Sequence, residues 1–162
     1  APGSVWPTKR WPAVYWGKLI DKFAEEGYEV ILIGSAQDSF LVEEISAHCS
    51  SGFLNGMGRF TLRQSAELIR RSQMLVSNDS APTHMGVAVR SRVLTIFGPT
   101  VPAFGFYPYG EKDQVAQIEG LYCRPCSIHG TQKCPEGHFK CMLTLKPDMV
   151  FNIARKMLNE CS

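Results

Sequence analysis

The sequence lacks most of the short signatures that identify a function by themselves. Its 162 residues contain no Gly-x4-Gly-Lys phosphate loop, and no Gly-x-Gly-x-x-Gly follows any candidate strand. Those absences argue against a P-loop nucleotidase and against a nicotinamide-dependent dehydrogenase or nucleotide-sugar epimerase. No apolar run approaches the roughly 20 residues needed to cross a bilayer, and the N-terminal APGSVWPTKRW has no charged head followed by an apolar stretch. Charge of one sign is also missing. Seventeen Lys and Arg are interspersed with fifteen Asp and Glu, a formal net charge of +2, so neither a basic stripe for nucleic acid nor a polybasic membrane segment is present. Fourteen Gly and ten Pro are scattered without a period, which excludes collagen-like and solenoid architectures.

What is present is the composition of one ordinary globular domain, with 44% hydrophobic and 20% charged residues. The whole of 1–162 therefore reads as a single soluble domain. The turn-type run Ala1-Pro2-Gly3-Ser4 opens it without a leading strand, which reads as a cut edge. Six Cys are the other unusual number. Four of them crowd into Cys123, Cys126, Cys134 and Cys141.

Hydrophobic spacing predicts alternating helices and strands. Trp16, Leu19, Ile20 and Phe23 mark a helix between Pro12 and Gly27, with Gly27 as its C-terminal cap. Residues 29–34 form a short, continuous, β-branched run, as in a strand buried on both faces of a parallel sheet. A helix over about 39–49 and a short strand near Phe53-Leu54 follow; Thr61 then caps a helix that buries Leu62, Ala66 and Ile69. Residues 74–77 and 93–97 are further strands, separated by a short helix with Pro82 in its first turn. The stretch 101–145 is an irregular excursion holding one strand at 114–118, and a helix over about 147–159 closes the chain. This alternation predicts a Rossmann-like, parallel α/β sheet whose ligand lies outside the carboxyl ends of its strands, at the loops after Ile33, Ser77 and Phe97.

The loop Ser77-Asn78-Asp79-Ser80-Ala81-Pro82-Thr83-His84 ends a strand and opens a helix, where free N–H groups and the helix dipole favour a phosphate. Asp79 would repel a phosphate but can accept hydrogen bonds from sugar hydroxyls beside one; equally, Asp79 or Ser80 can be a plain N-cap. His84 can donate to a phosphate or be a half-buried helix residue. A hydrolase built from Asp79, Ser80 and His84 lacks the base-to-orienter arrangement of a triad. Ser4, Thr8, Lys9 and Arg10 precede the first helix and supply hydroxyls and cations for a phosphate, or merely solvated charge. Asp38, four residues beyond Gly34, suits ribose hydroxyls or a helix N-cap.

Cys123-x2-Cys126-x7-Cys134-x6-Cys141, with His129 and His138 nearby, has the ligand count of a structural Zn site but not the spacing of paired knuckles. Free thiols are the alternative in a reducing compartment, and disulfides in an oxidising one. A zinc-stabilised interaction or nucleic-acid-binding module built on these four cysteines is the competing reading of the chain.

Taken in order, PGSVWPTKRWP, LIGSAQD, VSNDSAPTHMGVAV, TIFGPT and the CxxC…CPEGHxxC segment resemble the C-terminal half of glycosyltransferase family 9, the bacterial ADP-heptose:lipopolysaccharide heptosyltransferases. The resemblance implies the donor domain of a two-domain GT-B enzyme, with the acceptor domain and its general base absent from this chain. It implies inverting transfer of heptose from ADP-heptose to the lipopolysaccharide inner core, without a catalytic cofactor, in the cytoplasm or at the inner face of the inner membrane. By the same resemblance, Lys9 stabilises the leaving phosphates and Asp79 holds the heptose hydroxyls. Ser4, Thr8, Ser80, Ala81 and His84 lie by the diphosphate, Asp38 by the ribose, Phe60 over the adenine, and Gly98, Pro99 and Thr100 close the pocket. Ala81 stands where glycine is frequent, and Val101 where a polar residue often follows the Gly-Pro-Thr turn.

Overall fold

The computed structural model describes residues 1–160. A 3-10 turn at Pro7–Lys9 leads into helix α1 (Ala13–Glu25), whose apolar stripe Trp16, Leu19, Ile20 and Phe23 is buried. Gly27, at φ 84°, ends that helix as expected and donates its N–H to Ala24 O at 2.9 Å. Strand β1 (Ile31–Leu32) is followed by a 3-10 turn at Ala36–Asp38, helix α2 (Phe40–Ser46) and strand β2 (Leu54–Asn55). Then come α3 (Leu62–Arg71), β3 (Leu75–Asn78), α4 (Ala81–Ala88) and β4 (Val93–Ile96). A 3-10 turn at Pro102–Phe104, strand β5 (Gln114–Ala116), the short α5 (Lys140–Leu143) and the closing α6 (Pro147–Asn159) complete the chain.

All strand pairs are parallel, in the orders β1-β2 and β3-β4-β5. Between the two groups, Ala1 lies along β3: its nitrogen donates to Val76 O at 2.7 Å and its carbonyl accepts from Asn78 N at 3.2 Å. Alternate residues of β4 feed two apolar clusters, Leu94 and Ile96 one and Val93 the other, because successive strand side chains point to opposite faces. On the first side α1 packs against α2 and α6, with Phe23 and Phe151 edge to face at 5.4 Å. On the second, Ile69 of α3 and the close approach at Gly86 of α4 cover Leu75 and Val93; a Cβ on Gly86 would stand 2.5 Å from Val93 Cγ2.

Two expectations change in detail. Strand β1 is two residues long, shorter than the apolar run over 29–34, and β2, also two residues, lies one position beyond Phe53-Leu54. Thr61 does cap α3, with Gln64 reciprocating, but Leu62 is 72% exposed. Leu62 is the first residue of the helix, and only the positions one and two turns further on, where Ala66 is half-buried and Ile69 buried, reach the sheet.

Candidate active site

The carboxyl ends of β3 and β4 carry the loops 79–80 and 97–100, and the 3-10 turn at 7–9 lies beside them. At their meeting point Asp79 Oδ2 lies 2.6 Å from Lys9 Nζ and accepts the Thr100 hydroxyl at 2.6 Å. Asp79 is 4% and Thr100 2% exposed, so the pair is largely out of water, where a charge-assisted hydrogen bond is strong. Among the described residues no donor reaches Asp79 Oδ1. The carboxylate thus has one oxygen fixed by the protein and one available to a ligand hydroxyl.

This geometry decides the capping question. Asp79 turns toward Lys9 and Thr100, and Ser80, the residue at the N-cap of α4, makes no side-chain cap bond; its hydroxyl lies on Asn78 O at 3.2 Å instead. The first turn of α4 therefore opens without a side-chain cap: Pro82 has no N–H and Thr83 N donates to Ser80 O at 3.0 Å, which leaves the Ala81 N–H without an intrahelical acceptor. Ala81 and His84 are both exposed on that turn.

Asn78 is a residue that motif reasoning passes over. It is fully buried, its Nδ2 donates to Pro2 O at 2.7 Å and its Oδ1 accepts Trp11 N at 3.3 Å. One side chain thus ties the end of β3 to both flanks of the turn that carries Lys9. An amide buried at a strand end is the signal that could have singled it out, since such a group must find partners.

The remaining predicted residues fall into three settings. Ser4 is 7% exposed, and its carbonyl accepts Arg10 Nε at 2.8 Å. Thr8 is 4% exposed and spends its hydroxyl on the excursion, donating to Thr131 O and accepting Thr131 N, both at 2.8 Å. Asp38 sits at the end of β1 and completes a capping box: its Oδ2 accepts from Ser35 N at 3.2 Å and from Ser35 Oγ at 2.7 Å. Gly3 lies against Asp38 so closely that a Cβ there would be 2.5 Å from the carboxyl carbon. Phe60 is 41% exposed and packs on Gly56, further out on the β1-β2 side. Gly98 packs on Met142 of α5, and Pro99 O accepts Cys126 N at 2.9 Å. Lys9, Asp79 and Thr100 are thus in direct contact, whereas Asp38 and Phe60 belong to neighbouring loops.

The four clustered cysteines, whose spacing suggested a structural metal, lie between β5 and the end of α5. Among the described residues, no three His, Cys, Asp or Glu side chains come together as ligands for a metal ion. Cys123, Cys126, Cys134 and Cys141 are free thiols. The Cys126 thiol donates to Cys123 O at 3.0 Å, and Cys134 Sγ accepts Phe139 N at 3.4 Å. Burial, reinforced by the neighbouring thiols, pushes the Cys126 pKa up and that of Cys141 to about 11. An apolar cavity of about 510 Å³ between β1 and β3 is lined by none of the candidate site residues. No helix among the described residues is long and apolar enough to cross a membrane.

Comparison with known proteins points the same way as the geometry. The profile of glycosyltransferase family 9 (heptosyltransferase) matches residues 1–137. Lipooligosaccharide heptosyltransferase 2 of Haemophilus influenzae is 33% identical over 165 residues, which cover 97% of this chain and 46% of that protein. The crystal structure of a family 9 glycosyl transferase from Veillonella parvula superposes with a TM-score of 0.82 at 25% identity, over 99% of this chain and 45% of that one. The structure of E. coli ADP-heptose lps heptosyltransferase II gives 0.80 at 26% identity, over 98% and 45%. The chain spans about half the length of the relatives it matches. On its sequence match along most of its length and its parallel α/β architecture, the chain belongs to glycosyltransferase family 9, the heptosyltransferase family.

Proposed function

We propose that this chain is the nucleotide-sugar-binding domain of a heptosyltransferase, with ADP-heptose as donor and the lipopolysaccharide inner core as the acceptor. The single observation that carries the reading is the doubly held Asp79, paired with Lys9 and Thr100 beside the uncapped start of α4. Sugar hydroxyls and a diphosphate are adjacent in the donor, and here a carboxylate oxygen, an ammonium and a helix N-terminus are adjacent in the same order.

In the reaction the acceptor hydroxyl oxygen bonds to the anomeric carbon while the bond from that carbon to the phosphate oxygen breaks, with inversion. The acceptor proton passes to a general base in the acceptor domain, outside this chain, and ADP leaves. Negative charge grows on the leaving phosphate, so donors aimed at it stabilise the transition state more than the ground state. The start of α4 contributes about 0.3–1 kcal/mol if exposed and up to about 2 if partly buried. Lys9 contributes roughly 1.5–3 kcal/mol through a charged hydrogen bond and is the larger share. Asp38 and Phe60 extend the site toward ribose and adenine, Ser4, Thr8, Ser80, Ala81 and His84 border the diphosphate, and Gly98, Pro99 and Thr100 close it. This domain takes part in transfer in the cytoplasm, at the inner face of the inner membrane.

Calorimetric titration of the chain with ADP and ADP-heptose tests the proposal. Lys9→Ala should weaken both ligands by roughly 10- to 100-fold. Asp79→Ala should weaken ADP-heptose much more than ADP. A folded chain that binds neither ligand, or an Asp79→Ala variant that loses both equally, would overturn it.

A further inference from the structure

The 98–100 turn that brings Thr100 to Asp79 is also held from outside, by an arginine that no motif announces. Arg124 lies in the excursion after β5. Its Nη2 donates to Thr100 O at 2.7 Å and to Gln117 Oε1 at 2.9 Å, and its Nη1 donates to Ile118 O. The next peptide but one supports the same turn, with Cys126 N on Pro99 O at 2.9 Å. The guanidinium is half-buried, and among the described residues Nε finds no acceptor. Burial of the charge pulls the Arg124 pKa down, a cost that a neutral filler of this space would avoid.

The planar fork reaches three acceptors in three directions, which a lysine ammonium on its flexible stem cannot reproduce. One of the three is the carbonyl of Thr100. A fixed Thr100 peptide also fixes its hydroxyl, because the β-branched side chain is stiff at χ1. That hydroxyl is one of only two protein groups holding Asp79 Oδ2 among the described residues, the other being Lys9. When a diphosphate draws on Lys9, Thr100 becomes the contact that keeps Oδ1 aimed at the sugar.

We propose that Arg124 is a positioning residue for sugar recognition, acting through the Thr100 peptide on the Asp79 carboxylate. The proposal rests on the donor-site reading above and deepens it. Arg124 spends its Nη groups on Thr100, Gln117 and Ile118, so its effect should fall on the extra affinity for ADP-heptose over ADP and not on ADP itself.

The test compares the chain with Arg124→Met, Arg124→Lys, Thr100→Val and the double variant Arg124→Met/Thr100→Val, each titrated with ADP and with ADP-heptose. Arg124→Met should lower the preference for ADP-heptose about five- to tenfold and change ADP affinity less than about twofold. Arg124→Lys, which keeps the charge but not the fork, should recover only part of the loss. The double variant should be no worse than Thr100→Val alone, since both act through one contact. A ligand-free readout runs beside it. The Thr100 hydroxyl proton should be protected in the wild-type chain and exchange fast in Arg124→Lys and Arg124→Met, while the buried Thr83–Thr95 hydroxyl pair at 3.1 Å should stay protected as an internal control. An unchanged preference, additive losses in the double variant, or a Thr100 hydroxyl still protected without Arg124 would each overturn the positioning role. A wild-type chain that binds neither ligand but loses Thr100 protection on Arg124 substitution would remove the donor-site reading and leave the contact chain intact.

Discussion

Asp79 and Asp38 both lie just beyond strand ends at the same edge of the fold, yet they are held in different ways. Asp38 takes its protein hydrogen bonds from Ser35, three residues earlier, on a turn whose residues 35–37 are exposed. Asp79 takes its partners from the turn after β4 and from the start of the chain, and lies at 4% exposure. The first arrangement uses partners within four residues of one turn. The second exists only when β3, β4 and the 7–9 turn are assembled. The locally held carboxylate depends on its own turn, whereas the one assembled from distant segments is fixed by the tertiary fold.

Removing the buried partner should break this contrast most strongly. Asp79→Ala leaves Lys9 uncompensated, and chemical denaturation should register a loss of about 3–5 kcal/mol. Replacing Lys9 and Asp79 together with apolar residues of similar size should recover much of that loss, because the desolvation of both charges disappears as well.

Next in size is Gly130. It sits at φ 99°, and a Cβ there would stand 3.0 Å from Lys9 Cγ and from Trp6 Cβ. Gly130→Ala should cost about 1–3 kcal/mol in thermal or chemical unfolding through backbone strain, and should also weaken ADP binding by displacing the Lys9 stem. Loss of stability with unchanged ADP affinity would show that the excursion braces the fold without aligning Lys9.

Asp38→Ala should be milder, about 0.5–2 kcal/mol, the usual range for a lost helix cap. If it destabilises as much as Asp79→Ala, the distinction between the two aspartates fails.

The smallest effect is expected at the half-buried Glu67 on α3, which accepts from Arg70 Nε at 2.7 Å and Arg71 Nε at 2.7 Å at the surface. The Arg70 and Arg71 hydrogen bonds depress its pKa from 4.5 to about 2. A depressed carboxylate contributes fully above its unfolded value and loses that contribution as pH falls through the folded one. The stability difference between the wild-type chain and Glu67→Gln should therefore be constant above about pH 4.5 and shrink toward pH 2.

How much of this was legible beforehand depends on the range of each interaction. The stripe of α1, the Thr61 cap of α3 and the apolar runs of β3 and β4 are short-range patterns, and each appears where its spacing predicts. Lys9, Asp79 and Thr100 were legible as separate candidates because each lies in a motif. Their convergence on one oxygen was not, nor was the bracing of the site by Asn78, Arg124 and Gly130. The four cysteines are a different case: spacing supplied a ligand count, and the thiols lie near enough to raise one another's pKa, but among the described residues no three His, Cys, Asp or Glu side chains form a ligand set.

The sequence by itself determined the alternation of strand and helix, the strand-end loops that a ligand would face and, through the motif order, the family. These rest on periodicity, turn chemistry and capping, all of which act within a few residues. The tertiary structure alone decided which oxygen of Asp79 is held and which is open, that Thr8 is committed to Thr131, and that an arginine from the excursion holds the turn bearing Thr100. Those outcomes depend on buried polar groups finding partners across the assembled sheet, and that pairing has no counterpart in the local sequence pattern.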